Sequence, residues 1–278
     1  MANESLEDLD LEGLVDKDLT AEDIELVART LDNIEDVYNL DWQEIKNLTK
    51  VGYKAHKKDR PTMSKHLIKL YEFCLVGVEK VKEEHKTDRT KNRLNTVEAH
   101  LHGYAGDFAF RLYKQTLNTY WAEKTYDNLR NAIINVPRQK KYRAHRRKVM
   151  SDVAKVLFER TGEIYTWGQR GLRNRKIAAD ELFEENQGRA ASLYLETGNN
   201  TYDLLIRASR ETNIGVWMES TGRRIILPSR TIMDGIISYK RALKYFANKE
   251  RKPNTIGEVE QRIEFLERYL PKHQQTTN

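Results

Sequence analysis

The stretch PRQKKYRAHRRKVM, which begins at Pro137, concentrates side chains that could bind anions. Lysine or arginine occupies seven of the eleven positions 138–148. We predict that a helix starts directly after Pro137, although each cation in a first turn opposes the helix dipole by roughly 0.3–1 kcal/mol. A second basic stretch, QRGLRNRK at 169–176, places Arg170 and Arg173 on one face of the following helix. Both stretches indicate a surface that could bind an anionic partner.

Two interpretations of these basic stretches stay open. Clustered cations are typical of surfaces that bind RNA, DNA or an acidic peptide, and Tyr142 and Trp167 lie among them, where they could stack on bases. Alternatively, the charges form a solvated face and the two aromatic rings pack between helices. The candidate nucleic-acid residues are Lys140, Lys141, Arg143, Arg146, Arg147, Arg170 and Arg173.

Motifs that would indicate catalysis or metal binding are missing from the sequence. It has no glycine-rich phosphate loop, no dinucleotide fingerprint, no HExxH and no GxSxG. His100 and His102 in EAHLHGY point about 200° apart on a helix, so they cannot chelate one ion there. The single cysteine, Cys74, cannot form an internal disulfide. We therefore expect a protein that is not an enzyme and that needs neither metal nor cofactor.

Composition favours an all-α protein. The chain has 278 residues, 39% hydrophobic and 32% charged, with 14 glycines and 5 prolines, and its mean hydropathy is −0.76. So few glycines and prolines provide little punctuation for a multi-stranded sheet. The acidic opening does not resemble a secretory signal, and no apolar run reaches the ~18 residues that a membrane span needs. We expect a cytoplasmic protein without a membrane partner.

Charge is unevenly distributed along the chain. Residues 1–36 carry 13 acidic and 2 basic side chains, a balance of −11, so the remainder carries +17 to give the net charge of +6. We expect residues 1–18 to be mobile and residues 20–34 to form a helix, because the second range has an apolar stripe. Our hypothesis is that the acidic end competes with weak anions for the basic surface.

Apolar spacing of three and four residues predicts about eleven helices joined by short loops. Thr20 with Asp23 and Asp41 with Glu44 are predicted to cap the first two. Only TGRRIILP at 221–228 suggests a strand. Later helices are predicted at 118–135, 139–161, 163–183, 185–197, 200–213, 229–248 and 255–270.

One pattern occurs three times, as LYKQTLNTY at 112–120, LFERTGEIY at 157–165 and LYLETGNNTY at 193–202. Each copy has an alanine three residues before its leucine. The threonines are 45 and 36 residues apart, and we predict that each lies where one helix ends and the next begins. Periods of this size with two helices each are typical of a helical solenoid. The three threonines are Thr116, Thr161 and Thr197.

Over about residues 100–215 the pattern resembles the tetratricopeptide repeat. Tyr194 matches its first aromatic residue, with the small Ala191 three positions earlier and Gly198–Asn199 in the turn. Tyr113 takes the aromatic position in the first copy and Phe158 in the second. We expect Tyr113 and Tyr194 to be mostly buried. An ordinary helical bundle, in which alanine, leucine and tyrosine recur because buried helices use them, remains the alternative.

The resemblance implies an all-α array of antiparallel helical hairpins that binds a protein or peptide partner in its concave groove. It divides the chain into an acidic segment (1–19), N-terminal helices (20–60), a repeat body (61–215) and C-terminal helices (216–278). Binding of RNA or DNA through the basic surface at 138–176 is the alternative function. The implied groove residues are Asp107, Arg111, Lys114, Asp152, Glu159, Ser192 and Glu196.

Overall fold

The computed structural model describes residues 14, 18–34, 37–87, 91–134, 140–213, 227–247 and 253–270. Every regular element among them is helical, which confirms the all-α prediction: eleven α-helices, a 3-10 turn at Val37–Asn39 and a π-helical turn at Ile164–Gly168. None of the helices described is both long and apolar enough to span a membrane. The chain forms two compact units, Met1–Arg138 and Gln139–Asn278. The finer domain division expected from the sequence stays a prediction.

Polar caps begin the first helices of the N-terminal unit. The Thr20 hydroxyl accepts a hydrogen bond from the Asp23 amide, and the Asp23 carboxylate accepts one from the Thr20 amide. Asp41 and Glu44 form the same capping box on the second helix, so both predicted caps are confirmed. The six helices of this unit are α1 (Ala21–Asn33), α2 (Trp42–Lys58), α3 (Arg60–Ser64), α4 (Leu67–Thr87), α5 (Lys91–Thr116) and α6 (Thr119–Ile134).

A continuous apolar core holds the N-terminal unit together. Helices α4, α5 and α6 pack each against the next, and α2 packs against α4 and α5. The side chains of Leu48, Leu70, Leu101 and Phe108 are fully buried in this core. Tyr71 closes one side, with its ring edge-on to Trp121 at 5.2 Å between centroids. Apolar burial of this kind is the main stabilising contribution to a helical domain.

In the C-terminal unit, small residues allow the helices to approach closely. Consecutive helices pack against one another from α7 to α11, and alanines from four of them meet around Tyr194. The helices are α7 (Lys140–Thr161), α8 (Gln169–Leu182), α9 (Gln187–Asn213), α10 (Ser229–Ala247) and α11 (Pro253–Glu267). The alanines are Ala144, Ala178, Ala179, Ala190 and Ala242.

The repeated threonines share one local interaction. The hydroxyls of Thr116, Thr161 and Thr197 each donate to the carbonyl oxygen of the leucine four residues earlier, at 2.8, 2.8 and 2.7 Å. Thr116 and Thr161 also accept from the amide two residues later, at 3.3 Å, and end their helices. The next residues, Leu117 and Gly162, have φ of 54° and 70°, the left-handed conformation common after a helix. Two of the three copies are therefore one helix-ending motif.

The third copy contradicts the predicted boundary. Thr197 lies buried inside α9, which continues from Gln187 to Asn213, so the predicted helices 185–197 and 200–213 are one. Gly198 does not form a turn: a Cβ there would lie 2.4 Å from the ring of Tyr239. The glycine is thus needed because α10 packs against α9 at this point, and a packing glycine looks the same in a sequence as a turn glycine.

Other sequence predictions have mixed outcomes. Tyr194 is 2% exposed and Tyr113 is partly buried, with its ring stacked on Phe110 of the same helix, so both are mostly shielded from solvent as expected. The predicted helix at 20–34 is confirmed as α1. The predicted strand lies mostly outside the described residues, as does the acidic segment apart from a few positions.

Candidate functional site

The expected groove residues lie in both units. Asp107, Arg111 and Lys114 lie on α5 in the N-terminal unit. The Arg111 guanidinium covers the ring of Tyr53, 4.5 Å from its centroid, and burial lowers the pKa of Arg111 from its usual value. The Lys114 ammonium lies 4.5 Å from the ring centroid of Phe110. These cations therefore contact aromatic side chains of their own unit.

A buried arginine brings two of the other expected groove residues together. Arg175 of α8 pairs with Asp152 of α7 and Glu196 of α9, and its Nε donates to the Ser151 hydroxyl at 3.0 Å. Its side chain is only 8% exposed. Because a buried charge is costly unless it is paired, this cluster connects three helices. Asp152 and Glu196 are therefore already engaged within the unit.

Sequence reasoning missed Arg175, although a signal was present. Arg175 occupies a position on the apolar stripe of α8, three residues after Leu172 and three before Ala178. An arginine on such a stripe is expected to be buried and to need carboxylate partners. Those partners are distant in the sequence, so only the fold identifies them.

Ser192 and Glu159 have different surroundings. Ser192 is exposed on α9, where its hydroxyl donates to the Gly188 carbonyl oxygen at 3.1 Å. Glu159 is exposed near the end of α7 and lines a groove of about 330 Å³. Of the expected partner-binding residues in this unit, Glu159 is the one that borders that groove.

The groove lies between α7, the start of α8 and α9. Phe158, Leu172 and Leu204 form its apolar floor, and each is at most 8% exposed. Gly168 and Gly171 lie along the same wall. A Cβ on Gly168 would come within 3.0 Å of the Leu204 side chain. The π-helical turn and its glycine thus allow the helices to approach closely beneath the groove.

Charges of both signs surround this apolar floor. The exposed rim carries two cations, Lys155 and Arg207, and two carboxylates, Glu159 and Asp203. Within the described part of the chain, Lys155, Glu159 and Asp203 form no ion pair. The Arg207 guanidinium lies 5.6 Å from the ring centroid of Phe158. An apolar pocket with a polar rim is typical of a site that accepts one anchoring side chain of a partner.

Three cations of the basic run at the start of α7 face acidic side chains in the last turn of α8 and in the turn that follows it. Lys140 pairs with Glu184 at 2.6 Å, which raises the pKa of Lys140 through a hydrogen bond and charge attraction. Arg143 and Arg147 both lie close to Glu181, at 2.6 and 3.4 Å. These cations therefore contribute to the contact between α7 and α8.

The other cations of this run differ in exposure. Arg146 is 4% exposed, and its guanidinium lies 3.7 Å from the ring centroid of Tyr142. Lys141 belongs to α7, and its side chain is outside the described part of the structure. Arg170 and Arg173 are exposed on α8 and line a second cavity. Arg170 lies over Trp167, 5.2 Å from the ring centroid.

His102 takes part in a buried contact within the N-terminal unit. Its Nδ1 is 3.0 Å from the Asn128 amide oxygen, and burial lowers the pKa of its imidazole. In the described ranges, no group of three or more histidine, cysteine, aspartate or glutamate residues is placed to hold a metal ion.

Comparisons with known proteins add no relative. The chain matches no protein-family model, no curated protein and no solved structure.

Proposed function

We propose that this protein is a binding scaffold whose C-terminal unit takes a segment of a partner protein in the groove between α7, α8 and α9. We further propose that its helices form tetratricopeptide-like antiparallel hairpins. The packing of each helix on the next from α4 to α6 and from α7 to α11 supports this arrangement. The shared helix-ending motif at Thr116 and Thr161 also supports it.

The groove itself carries the proposal. Its volume of about 330 Å³ lies at the low end of the volumes of small-molecule sites, which are roughly 300–1,000 Å³. A groove of this size has room for one large apolar side chain of a partner. The buried floor of Phe158, Leu172 and Leu204 offers that side chain an apolar surface. Burying an apolar side chain contributes about 1.5–3 kcal/mol. The remaining affinity comes from polar contacts around the rim.

The charges on the rim of the groove indicate which kind of peptide segment would bind there. Lys155 and Arg207 oppose Glu159 and Asp203, so the four rim charges sum to zero. A polyanion would meet repulsion from the two carboxylates, whereas a peptide with an acidic and a basic residue flanking its anchor would pair with both signs. The alternative, RNA or DNA binding through the basic surface at 138–176, has less support because three of its cations, Lys140, Arg143 and Arg147, face the carboxylates of Glu181 and Glu184.

A peptide library displayed on phage and selected against the full chain tests this function. We expect enriched peptides to share one large apolar residue with charged neighbours. Fluorescence anisotropy should show that the double variant Lys155→Glu, Arg207→Glu binds them about tenfold more weakly, a loss of about 1.4 kcal/mol. Replacing the shared apolar residue of the peptide by alanine should weaken binding by at least as much.

Two control variants in the N-terminal unit separate the possible outcomes. Arg130→Glu changes an exposed charge of α6 and should leave peptide affinity unchanged. Lys114→Glu probes the expected groove residue on α5. If Lys114→Glu weakens binding while Lys155→Glu, Arg207→Glu does not, the groove of the C-terminal unit is the wrong site. If neither variant changes the affinity for any selected peptide, the scaffold proposal is overturned.

A further inference from the structure

A second cavity in the C-terminal unit has a different chemistry. It has a volume of about 550 Å³ and lies between α8, the middle of α9 and the first turn of α10. Leu172 and Ile177 provide its apolar surface, and the rest of its lining is polar or charged.

Positive charge dominates this cavity. In the part of the chain that the structure describes, four cations line it, Arg170, Arg173, Lys176 and Arg230, against one carboxylate, Asp234. Arg173 and Arg230 form no ion pair with any residue that the structure describes. Like charges gathered at one cavity repel each other, and the repulsion is relieved when an anion binds.

The neutralisation available within the protein is incomplete. The Lys176 ammonium lies 3.5 Å from an Asp234 oxygen and 3.6 Å from an Asp180 oxygen. Both distances exceed the usual 2.7–3.2 Å of a hydrogen bond. Lys176 is therefore still able to donate hydrogen bonds to an oxygen placed in the cavity.

An unsatisfied donor lies beside this cavity. The Gln169 Nε2 has no hydrogen-bond acceptor among the described residues and is itself shielded from solvent. An anion in the cavity would stabilise this donor through its charge, without direct contact. The first turn of α10, which begins at Ser229, adds the positive end of a helix dipole to the same space.

The lining also indicates which anion fits. One arginine guanidinium group binds two oxygens of a phosphate through two parallel hydrogen bonds. The described lining of the cavity includes three arginines. Among the described residues that line the cavity none is aromatic, so these residues would not stack on a nucleic-acid base. The hydroxyls of Thr197 and Thr201 already donate to carbonyl oxygens of α9, which leaves the charged groups and the Thr231 hydroxyl as side-chain donors.

We propose that this cavity binds a compact anion with two or more linked phosphate groups. Arg173 of α8 and Arg230 of α10 hold phosphate oxygens, with Arg170 and Lys176 completing the charge. This site is separate from the peptide groove, although Leu172 borders both. The inference therefore does not depend on the proposed peptide function.

Titration calorimetry of the full chain with inorganic tripolyphosphate tests the site. We expect one ligand per chain and a melting temperature that rises with ligand concentration, because a ligand that binds only the folded state stabilises it. The double variant Arg173→Gln, Arg230→Gln should weaken binding at least about tenfold. Gln169→Glu should also weaken it, because it replaces the donor by a repelling carboxylate.

A charge-matched control distinguishes a site from general attraction. Arg130→Gln with Arg160→Gln removes two exposed arginines outside the cavity and should change affinity less than about twofold. A nucleoside triphosphate should bind as tightly as tripolyphosphate, since phosphates alone are recognised; much tighter binding would mean that a base is read and would contradict the proposal.

Four further results would overturn the assignment. Equal weakening in the cavity variant and the control would show nonspecific attraction, as would sulfate at matched ionic strength binding as well as tripolyphosphate. Several weak ligands per chain would have the same meaning. A competition with single-stranded RNA gives the last result. If RNA displaces tripolyphosphate, and the double variant Arg173→Gln, Arg230→Gln binds RNA as tightly as the wild type, then the basic surface binds nucleic acid without this cavity.

Discussion

At the scale of single residues, we expect one buried histidine to make the stability of the N-terminal unit depend on pH. His56 of α2 is 4% exposed, and neither of its ring nitrogens has a hydrogen-bond partner within the described residues. Burial, and then the positive charges of Arg111 and Arg60, lower the pKa of His56 to about 4. A neutral imidazole is therefore required in the folded state, although an unfolded chain would protonate it near pH 6.5.

The first prediction concerns the pH dependence of stability. Because the pKa of His56 is lower in the folded state than in the unfolded state, protons favour unfolding as pH falls from about 6.5 towards 4. This residue alone should remove about 2 kcal/mol from the free energy of unfolding between pH 7 and pH 5. Urea denaturation at both pH values should show that His56→Leu loses less stability than the wild type.

His66 and His102 serve as internal references for this measurement. Burial lowers both of their pKa values, and both remain in the variant, so the difference between the two proteins isolates His56. An equal loss of stability in the wild type and in His56→Leu would show that His56 is protonated in the folded state without cost.

At the scale of elements, close helix packing depends on glycine. Gly198 of α9 faces the ring of Tyr239, and Gly235 of α10 faces Thr201, where an added Cβ would lie 2.6 Å from its side chain. The Tyr239 hydroxyl then donates to the Asn199 amide oxygen at 2.7 Å. Glycine on both helices thus allows α9 and α10 to approach closely. These two helices also line the second cavity described above, here called the basic cavity.

The second prediction compares two helical glycines. Gly198→Ala should destabilise the protein by about 1–3 kcal/mol, because the new methyl group would overlap the Tyr239 ring and force repacking. Gly257→Ala in α11 meets nothing within 4 Å and should stabilise by up to about 1 kcal/mol through helix propensity. Free energies of unfolding from urea denaturation provide the measurement. If both variants were more stable than the wild type, the result would contradict the close approach of α9 to α10 at Gly198.

At the scale of the whole molecule, each unit has its own core. The N-terminal unit buries large aliphatic and aromatic side chains, whereas the C-terminal unit has an alanine-rich contact with polar links such as Arg175 with Asp152 and Glu196. A compact unit with its own core is able to fold alone.

The third prediction follows from this division. Fragments 1–138 and 139–278 should each be helical by circular dichroism and should each melt cooperatively. A control cut between α8 and α9, giving 1–184 and 185–278, separates Asp180 from Tyr194, whose hydroxyl donates to that carboxylate at 2.6 Å. The control fragments should lose the cooperative melting of the C-terminal unit. Broad, noncooperative melting of 139–278 itself would contradict two independently folding units.

Sequence patterns were sufficient for the elements whose signals are local. The apolar stripe and capping box of α1 require only neighbours three or four residues apart, and so do the helix ends at Thr116 and Thr161. All-α architecture was therefore predicted correctly. The same local logic failed at Gly198, because a glycine that ends a helix and one that admits a neighbouring ring have the same letter.

The candidate sites show the same division between local and distant information. From the sequence, Arg170 and Arg173 were anion-binding candidates, and Glu159 was expected to line a groove. Arg173 and Arg230 line one cavity from different helices, and Arg175 is buried between two carboxylates of two other helices. Charge and periodicity along one chain determined which helices form and which faces are polar. Only the tertiary structure decided which charges are neutralised by a partner and which face a cavity, because that depends on distances between residues remote in sequence.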